Sequence, residues 1–347
     1  MKHSGIYLAG IGSYRPYPVT CEQAVAEGIY PQERADVSEM ISVLVAGDVP
    51  APKMAASAAI KAIKQAGIPA ASYGALIHCA TSHQGPAGWS APHYILNRAL
   101  ATSITAMELR HGCLGAISAL RLAADRLAAD LDHLGVLVTT ADNFGTPGED
   151  RWQASSLFLL GDGAAAAVVA RDEGFAEIRA TSSISDPRME ALHRGGELLF
   201  PPGPSVGRGL NFDARSRYWK AQWEQGNPRP PGDLGVLLNR AVAAALDDAE
   251  LTLADVTKVC HVGYSREALR DVFAEPLGID LDRTVWELTR RTGHVGAADP
   301  ILSLESLCIS GDLSSGDHVL LVGAGPGMEV ACAVLTITST NFGGEII

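Results

Sequence analysis

The feature that most restricts the fold of this chain is an internal repeat at a constant spacing of 183 residues. An alanine-rich, helix-like segment and the apolar strand that ends at His78 recur as a second such segment and a strand that ends at His261. The same spacing carries the apolar run Val136–Val138 onto Val319–Leu321. A shift that stays constant over this length indicates two copies of one unit in which strands and helices alternate.

Two such copies predict an α/β fold with parallel-rich sheets and helices between and outside them. Strand ends and helix starts of both copies would meet at one central crevice, the usual place for a site in such folds. We assign the first copy to residues 1–185 and the second to residues 236–347. The insertion between them, residues 186–235, is rich in proline, arginine and tryptophan. It is either a solvated loop or a lid, because long insertions on compact folds often shape sites.

Composition narrows the classes of function. Only 19% of the 347 residues are charged, and the net charge of −12 argues against nucleic acid as a partner, because phosphate binding needs a clustered positive surface. No apolar run approaches the roughly 20 residues that span a bilayer, and the N-terminal apolar stretch is too short for a secretory signal. The six cysteines form no Cys-x-x-Cys pair, so neither a zinc site nor a disulfide framework is indicated. These features predict a cytoplasmic enzyme with no membrane span and no metal.

Cys113 follows a mostly polar run and precedes a segment whose apolar residues recur every three or four positions, as on one buried helical face. A thiol at the start of a helix lies near the positive end of the helix dipole, which favours the nucleophilic thiolate. Gly112 and Gly115 leave room beside the sulfur for a substrate carbonyl. The alternative is a buried, inert cysteine. Partner residues elsewhere in the chain must therefore distinguish a catalytic from an inert Cys113.

His294 stands in a second glycine-rich turn before a helix, in the second copy, as Cys113 does in the first. A neutral imidazole there could take the thiol proton and later return it to a leaving group. Asp299, which precedes Pro300 at the predicted helix start, could orient that imidazole as the third member of a triad. Alternatively, Asp299 only caps its helix, because aspartate is a favoured N-cap residue.

Three further residues are weaker candidates. His261 ends a predicted strand at a glycine-containing turn, where it could serve as a second catalytic or pocket histidine. His193 lies in a short segment that lines either the pocket or a surface turn. In the glycine-rich turn after the strand His318–Val322, the N–H of Gly325 could join that of Cys113 in an oxyanion hole.

Together these motifs resemble the thiolase superfamily, and most closely its ketosynthase III branch, the β-ketoacyl-carrier-protein synthases III. The resemblance covers nearly the whole chain and rests on Cys113 with its helix, Ala141–Asn143, Leu160–Ala164, the His261 and Gly293 turns and Gly323–Gly327. It implies a thiolase-like duplicated five-layer αβαβα sandwich and a homodimer. It also implies an acyl group carried on cysteine and delivered by coenzyme A or an acyl carrier protein, with no permanently bound cofactor.

The resemblance also implies roles for individual residues. Cys113 matches the nucleophile, and Gly325 matches an oxyanion donor. Arg266 matches a carrier-protein contact, while Arg151 and Trp152 fall near a coenzyme A contact of the family. The early tryptophan and the Arg-Thr-Gly-Ile motif of the family are missing from this sequence.

Two turns depart from the decarboxylating members of the family. Those enzymes have His-Gln-Ala-Asn and Gly-Asn-Thr, whereas this chain has His-Val-Gly-Tyr from His261 and Gly-His-Val from Gly293. His294 with Asp299 instead resembles ketosynthase III-like acyltransferases of polyketide and glycoside tailoring. We therefore expect transfer of an acyl or malonyl group to a small natural-product acceptor, a sugar hydroxyl or a polyketide, without formation of a carbon–carbon bond.

Two alternatives remain open at this point. Cys113, His261 and His294 form the Cys-His-His set of elongating ketosynthases, which favours decarboxylative condensation or starter-unit priming. A catalytically silent partner subunit is the other alternative, although such subunits usually lose the cysteine. The sequence leaves open whether His261 or His294 is the principal base.

Overall fold

The computed structural model describes residues 1–145, 150–199, 210–229 and 231–340. The strands of these segments are β1 Ile6–Tyr14, β2 Pro18–Thr20, β3 Ser42–Leu44, β4 Tyr73–Cys79, β5 Thr105–Leu109, β6 Gly135–Asp142, β7 Gly163–Arg171, β8 Ala176–Ser185, β9 Val256–His261, β10 His318–Gly325 and β11 Glu329–Ile337. The α-helices are α1 Cys21–Ala26, α2 Gln32–Ser38, α3 Ala51–Ala66, α4 Ala91–Ala99, α5 Gly115–Ala129, α6 Ala191–Arg194, α7 Phe212–Glu224, α8 Leu234–Ala249, α9 Arg266–Leu269, α10 Glu275–Leu277, α11 Trp286–Thr292 and α12 Asp299–Ser310.

Nine strands are hydrogen-bonded in the order β5-β4-β6-β7-β1-β8-β11-β10-β9. The pairs β4–β5, β4–β6 and β10–β9 are parallel, and the other pairs of this order are antiparallel. In the middle, β1 meets β8 only through Tyr7 with Glu177 and Leu8 with Ala176. The order therefore consists of two half-sheets, one of five strands and one of four, joined at a short seam.

The repeat in the sequence is a repeat in the structure. The bounds of α3 and α8 differ by 183 residues at both ends, and so do those of β6 and β10. The half-sheets differ at one edge, because β4 has β5 beside it, whereas β9 has only an isolated parallel bridge from Val259 to Thr284 among the described residues.

The helices form layers outside and between the half-sheets. Buried residues of α3 and α4 pack on one face of the first half-sheet, and those of α8 pack on the outer face of the second. Between the half-sheets lie α5 and α12, whose buried residues share one apolar core with both inner faces. Small side chains permit close approach: a Cβ on Gly10 of β1 would lie 2.0 Å from the Ala62 carbonyl oxygen of α3. This is the predicted duplicated five-layer αβαβα sandwich.

The insertion contains helices where the structure describes it. Asn211 caps α7 by accepting the Ala214 N–H, and the Phe212 N–H donates to the Ala154 carbonyl. Residues 200–209 and 230 of the insertion, and residues 341–347 of the second copy, lie outside the described residues. The boundaries at residues 185 and 235 stay predictions. Strand β8 lies within the first copy as assigned from the sequence, but it pairs with β11 in the second half-sheet. None of the described helices is long and apolar enough to cross a membrane.

Candidate active site

Cys113 lies in a short 3₁₀ turn immediately before α5, on the end of the central helix layer. It is the one partly exposed cysteine of the six. Burial raises the pKa of each of the other five thiols. It raises the pKa to about 11 for Cys21 and to about 12 for Cys308 and Cys332. Because the thiolate is the reactive form, Cys113 is the thiol that is both accessible and suited to attack.

Three of the predicted residues are in contact. The Cys113 Sγ lies 2.9 Å from Nε2 of His294, and Nδ1 of His294 lies 2.5 Å from Oδ2 of Asp299. The imidazole and the carboxylate are buried, with 4% and 2% of their side chains exposed. This nucleophile–imidazole–carboxylate order has the geometry of a triad.

The backbone fixes the imidazole from both sides. The His294 N–H donates to the Leu159 carbonyl at 2.7 Å, and the His294 carbonyl accepts from the Gly161 N–H at 2.9 Å. Gly293 precedes it with φ +73°, a left-handed conformation that glycine adopts at little cost. The turn that presents His294 is thus held to the Leu159–Gly161 segment of the first copy.

Asp299 does not cap its helix. It is the first residue of α12, the cap position is occupied by Ala298, and no side chain caps this helix. The Asp299 carboxylate instead accepts N–H groups of Val295 at 2.8 Å and Gly263 at 2.6 Å, besides contacting His294. The N-cap prediction is therefore wrong, because these nearer donors turn the carboxylate away from its own helix.

The protonation of His294 is set by its neighbours. Burial alone lowers the pKa of an imidazole, but the Cys113 thiolate and the Asp299 carboxylate outweigh it and hold the pKa of His294 well above its usual range. These two neighbours therefore favour the charged, imidazolium form of His294 beside a Cys113 thiolate. The neutral imidazole expected from the sequence is not the form that these two charges favour.

His261 is buried beside the same turn. Its Nδ1 donates to the Val262 carbonyl at 2.7 Å, and Nε2 has no partner among the described residues. Burial lowers the pKa of His261 to about 4, so the ring is neutral near pH 7. With the proton on Nδ1, Nε2 can accept a hydrogen bond and cannot donate one.

His193 is connected to the site through aromatic rings. Its ring lies 6.0 Å from that of Phe212, which lies 5.6 Å from Phe158, which lies 4.9 Å from the His294 ring. Burial and the nearby Arg215 lower the pKa of His193. The structure thus places His193 two rings away from His294 rather than in contact with it.

The predicted oxyanion turn lies against the turn that carries the cysteine. A Cβ on Gly325 would be 3.0 Å from Leu114, and a Cβ on Gly112 would be 2.8 Å from the Pro326 ring. These close approaches bring the end of β10 beside Cys113.

The predicted coenzyme A and carrier-protein contacts lie elsewhere. The Arg151 guanidinium forms a two-pronged ion pair with Asp162, with both distances 3.0 Å, and Trp152 is 5% exposed. Because these groups are already packed and paired, they are not presented to a coenzyme A phosphate in this structure. Arg266 is half exposed and pairs with Glu39 at the surface.

Sequence reasoning missed two groups in the surroundings of the site. Phe158 and Phe212 carry no motif, and only the fold brings an apolar loop residue against His294. Asp142 belongs to the Ala141–Asn143 motif, but the motif does not predict the burial of its carboxylate. It is fully buried behind the His294 turn, where Oδ1 accepts the N–H groups of Thr81 at 2.8 Å and Ser82 at 2.6 Å.

We expect Asp142→Asn to melt at the same temperature as the unchanged chain, or up to about 3 °C higher, at pH 8. Burial raises the pKa of the Asp142 carboxyl above its unfolded value, so its contribution to stability is lost as the pH rises above about 4. The amide keeps an oxygen for both N–H donors and carries no charge. Thermal unfolding of both chains at pH 5 and pH 8 tests this, and a variant whose relative melting temperature falls at pH 8 contradicts it.

Comparisons with known proteins agree with the fold. Residues 107–187 match the family described as 3-oxoacyl-[acyl-carrier-protein] synthase III, and residues 246–337 match its C-terminal domain. The solved structure of the acyltransferase ChlB3 is 35% identical, with a TM-score of 0.90, over 96% of this chain and 98% of that chain. This chain belongs to the ketosynthase III family.

Other members of the ketosynthase III family are more distant. The β-ketoacyl-[acyl-carrier-protein] synthase III of Streptomyces glaucescens is 26% identical over 95% of this chain and 96% of its own length. The solved structure of FabH from Pseudomonas aeruginosa is 21% identical, with a TM-score of 0.76, over 97% of this chain and 99% of that chain. The family comprises thiolase-fold transferases that work through an acyl-enzyme. Among the described residues, no His, Cys, Asp and Glu side chains are grouped to hold a metal ion.

Proposed function

We propose that this ketosynthase III family member is an acyltransferase without carbon–carbon bond formation. It moves an acyl or malonyl group from a coenzyme A or acyl-carrier-protein thioester, through Cys113, to a hydroxyl of a natural-product sugar or polyketide. One observation carries the proposal: His294 bonds both the Cys113 sulfur and the buried Asp299 carboxylate. This arrangement suits the movement of a proton to and from a leaving or attacking heteroatom.

In the first half-reaction the Cys113 thiolate attacks the thioester carbonyl. The N–H groups of Cys113 and Gly325 hold the oxygen of the tetrahedral intermediate. When that intermediate collapses, the carbon–sulfur bond to the donor breaks, and the His294 imidazolium protonates the departing thiolate. The products are acyl-Cys113, a free donor thiol and a neutral His294.

The second half-reaction depends on a change in His294. The thiolate is a major cause of its raised pKa, and acylation removes that charge. The neutral imidazole, oriented by Asp299, then accepts the proton of the acceptor hydroxyl while the oxygen attacks acyl-Cys113. Release of the Cys113 thiolate restores the ion pair, so one residue serves first as acid and then as base.

The surroundings of His294 also support transfer over decarboxylation. Decarboxylating relatives hold the malonyl carbonyl with N–H donors. In the acyl-enzyme a neutral His294 keeps its proton on Nδ1, next to the Asp299 carboxylate, so its Nε2 has no N–H to donate. His261 offers a deprotonated Nε2 rather than a donor in this tautomer. Neither histidine is therefore arranged to stabilise the enolate that loss of carbon dioxide would produce.

A cavity next to Phe158 supports a small acceptor. It has a volume of about 370 Å³ and is lined by residues of α2, the Ser155–Leu159 segment and α9, together with Tyr30 and Ser265. Its neighbour α7 is tied to the same segment, because Asp213 accepts from Ser156 and pairs with Arg34. We propose that the insertion forms one wall of the acceptor site beside this cavity and that His193 lines that wall, because the Phe212 ring packs against both Phe158 and His193.

The deciding experiment supplies a malonyl thioester together with candidate acceptors and measures the mass of the product. The expected product retains the whole malonyl group as an ester. A product that has lost carbon dioxide favours the decarboxylative condensation instead. If a folded chain never labels at Cys113 with any acyl thioester in a panel, the silent-subunit alternative is favoured.

His261→Ala is expected to reduce acyl transfer much less than His294→Ala. Removal of a general acid–base group costs about 10²–10⁴-fold, and in the proposed mechanism only His294 moves protons. We expect losses of about 10³-fold for His294→Ala and less than tenfold for His261→Ala, measured as single-turnover transfer from preformed acyl-Cys113. Similar large losses for both variants would point to the Cys-His-His chemistry of condensing enzymes.

We also propose that the chain works as a homodimer in the cytoplasm. Among the described strands, the edge strand β5 has one neighbour, β4, and it exposes much of its length, including Met107 at 41%. An exposed strand edge is a ready template for pairing with a second chain. Sedimentation equilibrium tests the dimer, and Met107→Lys should weaken it.

A further inference from the structure

His111, two residues before the nucleophile, belongs to a polar cluster outside the triad. Its Nδ1 lies 2.7 Å from the Ser118 hydroxyl on α5, and its Nε2 lies 3.1 Å from the Glu329 carboxylate on β11. Glu329 also accepts from the Ser183 hydroxyl on β8. The chemistry described above uses none of these four side chains.

The position of Glu329 gives this cluster its significance. In the β10–β11 hairpin, Glu329 is the direct cross-strand partner of Gly325. His111 opens the turn that carries Cys113, because its carbonyl accepts the Leu114 N–H. The contact from His111 to Glu329 therefore joins the two turns whose N–H groups form the proposed oxyanion hole.

We propose that the His111–Glu329 pair is a clamp that sets the distance between the Cys113 and Gly325 N–H groups; this inference rests on the proposed function. Oxyanion donors act only when they are held in advance at the right separation. Without the pair, the turns touch through apolar contacts at Leu114 and Pro326, which restrict sliding less than a directional hydrogen bond does.

The clamp does not depend on one protonation state of His111. When the ring is neutral, the Ser118 hydroxyl donates to Nδ1 and the Nε2–H donates to Glu329. When the ring is charged, the hydroxyl rotates and accepts from Nδ1–H. His111 and Glu329 are only 28% and 20% exposed, so solvent competes weakly for this contact. Both His111 and Glu329 are positioning residues, because neither touches the reacting atoms.

The test compares two reactions of the same sulfur. Thioester acylation builds up charge on an oxygen and needs the oxyanion hole, whereas alkylation by iodoacetamide needs only the thiolate. For His111→Ala we expect single-turnover acylation to fall about 10- to 100-fold, with alkylation within twofold of the unchanged chain. Glu329→Gln keeps an acceptor for Nε2 and should fall less, and the double variant His111→Ala/Glu329→Ala should fall no further than His111→Ala alone.

His133→Ala is the matched control. His133 forms a pair of similar exposure with Asp130, at 2.9 Å, on a different part of the surface, and its loss should change neither reaction. Acylation of His111→Ala at the unchanged rate, an equal fall in both reactions, or an acyl group mapped to Ser118 each overturns the clamp. An unchanged chain that accepts no acyl group overturns the proposed function as well, which separates the two failures.

Discussion

Cys113→Ala is expected to abolish covalent acylation of the chain and to reduce acyl transfer about 10⁶-fold, as loss of the nucleophile does in other covalent enzymes. The reason is structural: Cys113 is the accessible thiol, and its sulfur is the one that His294 contacts. Intact-mass measurement after incubation with an acyl thioester detects the adduct, and a coupled assay of the released thiol gives the rate.

Cys308→Ala provides the control for this experiment. Cys308 lies in α12, and burial raises the pKa of its thiol to about 12, so its removal should leave the adduct in place. Cys113→Ser keeps a nucleophilic atom but loses the thiolate–imidazolium pair, and we expect it to transfer at least about 10³-fold more slowly. A stable acyl adduct on the Cys113→Ala chain would show that another residue is the nucleophile.

Asp299→Asn is expected to reduce overall acyl transfer by up to about 10³-fold, because both half-reactions depend on a His294 that Asp299 orients, as in serine protease triads. The carboxylate stabilises the His294 imidazolium, so its removal lowers the pKa of His294. We then expect the thiol to keep its proton to a higher pH, so that the rate of Cys113 alkylation by iodoacetamide increases only at a higher pH than in the unchanged chain. Measuring that rate from pH 5 to pH 9 gives the direction directly.

Asp130→Asn is a suitable comparison, because Asp130 also contacts a histidine but at the surface. It should leave both the transfer rate and the alkylation profile unchanged. If Asp299→Asn shifts the profile to lower pH, or leaves it where it was, then Asp299 does not stabilise the charged imidazole.

The fold could be predicted from the sequence because the repeat is visible as apolar segments that recur at a constant spacing. The bounds of α3 and α8 preserve the same 183 residues that relate His78 to His261. The candidate triad could be predicted because glycine-rich turns at helix starts are local features. Cys113 and His294 each occupy such a turn, and the repeat predicts that the turns meet.

The rest of the site depends on contacts between distant segments, which local patterns do not carry. Nothing beside Arg151 in the sequence shows that Asp162 will pair with it and withdraw it from a ligand. The approach of Phe158 to His294 likewise follows from the bridge between Leu160 and His294, in different copies. The protonation of His294 depends on burial together with two charges, and only the assembled site has all three.

The division of the triad between the two copies also links reactivity to synthesis. The imidazole follows the sulfur by 181 residues, so at 5–20 residues per second a nascent chain carries the cysteine for about 10 to 40 seconds before its partner exists. During that interval the sulfur lacks the imidazole that the proposed mechanism requires. In the proposed mechanism, cellular thioesters therefore meet an activated sulfur only after the second copy has been synthesised and has folded against the first.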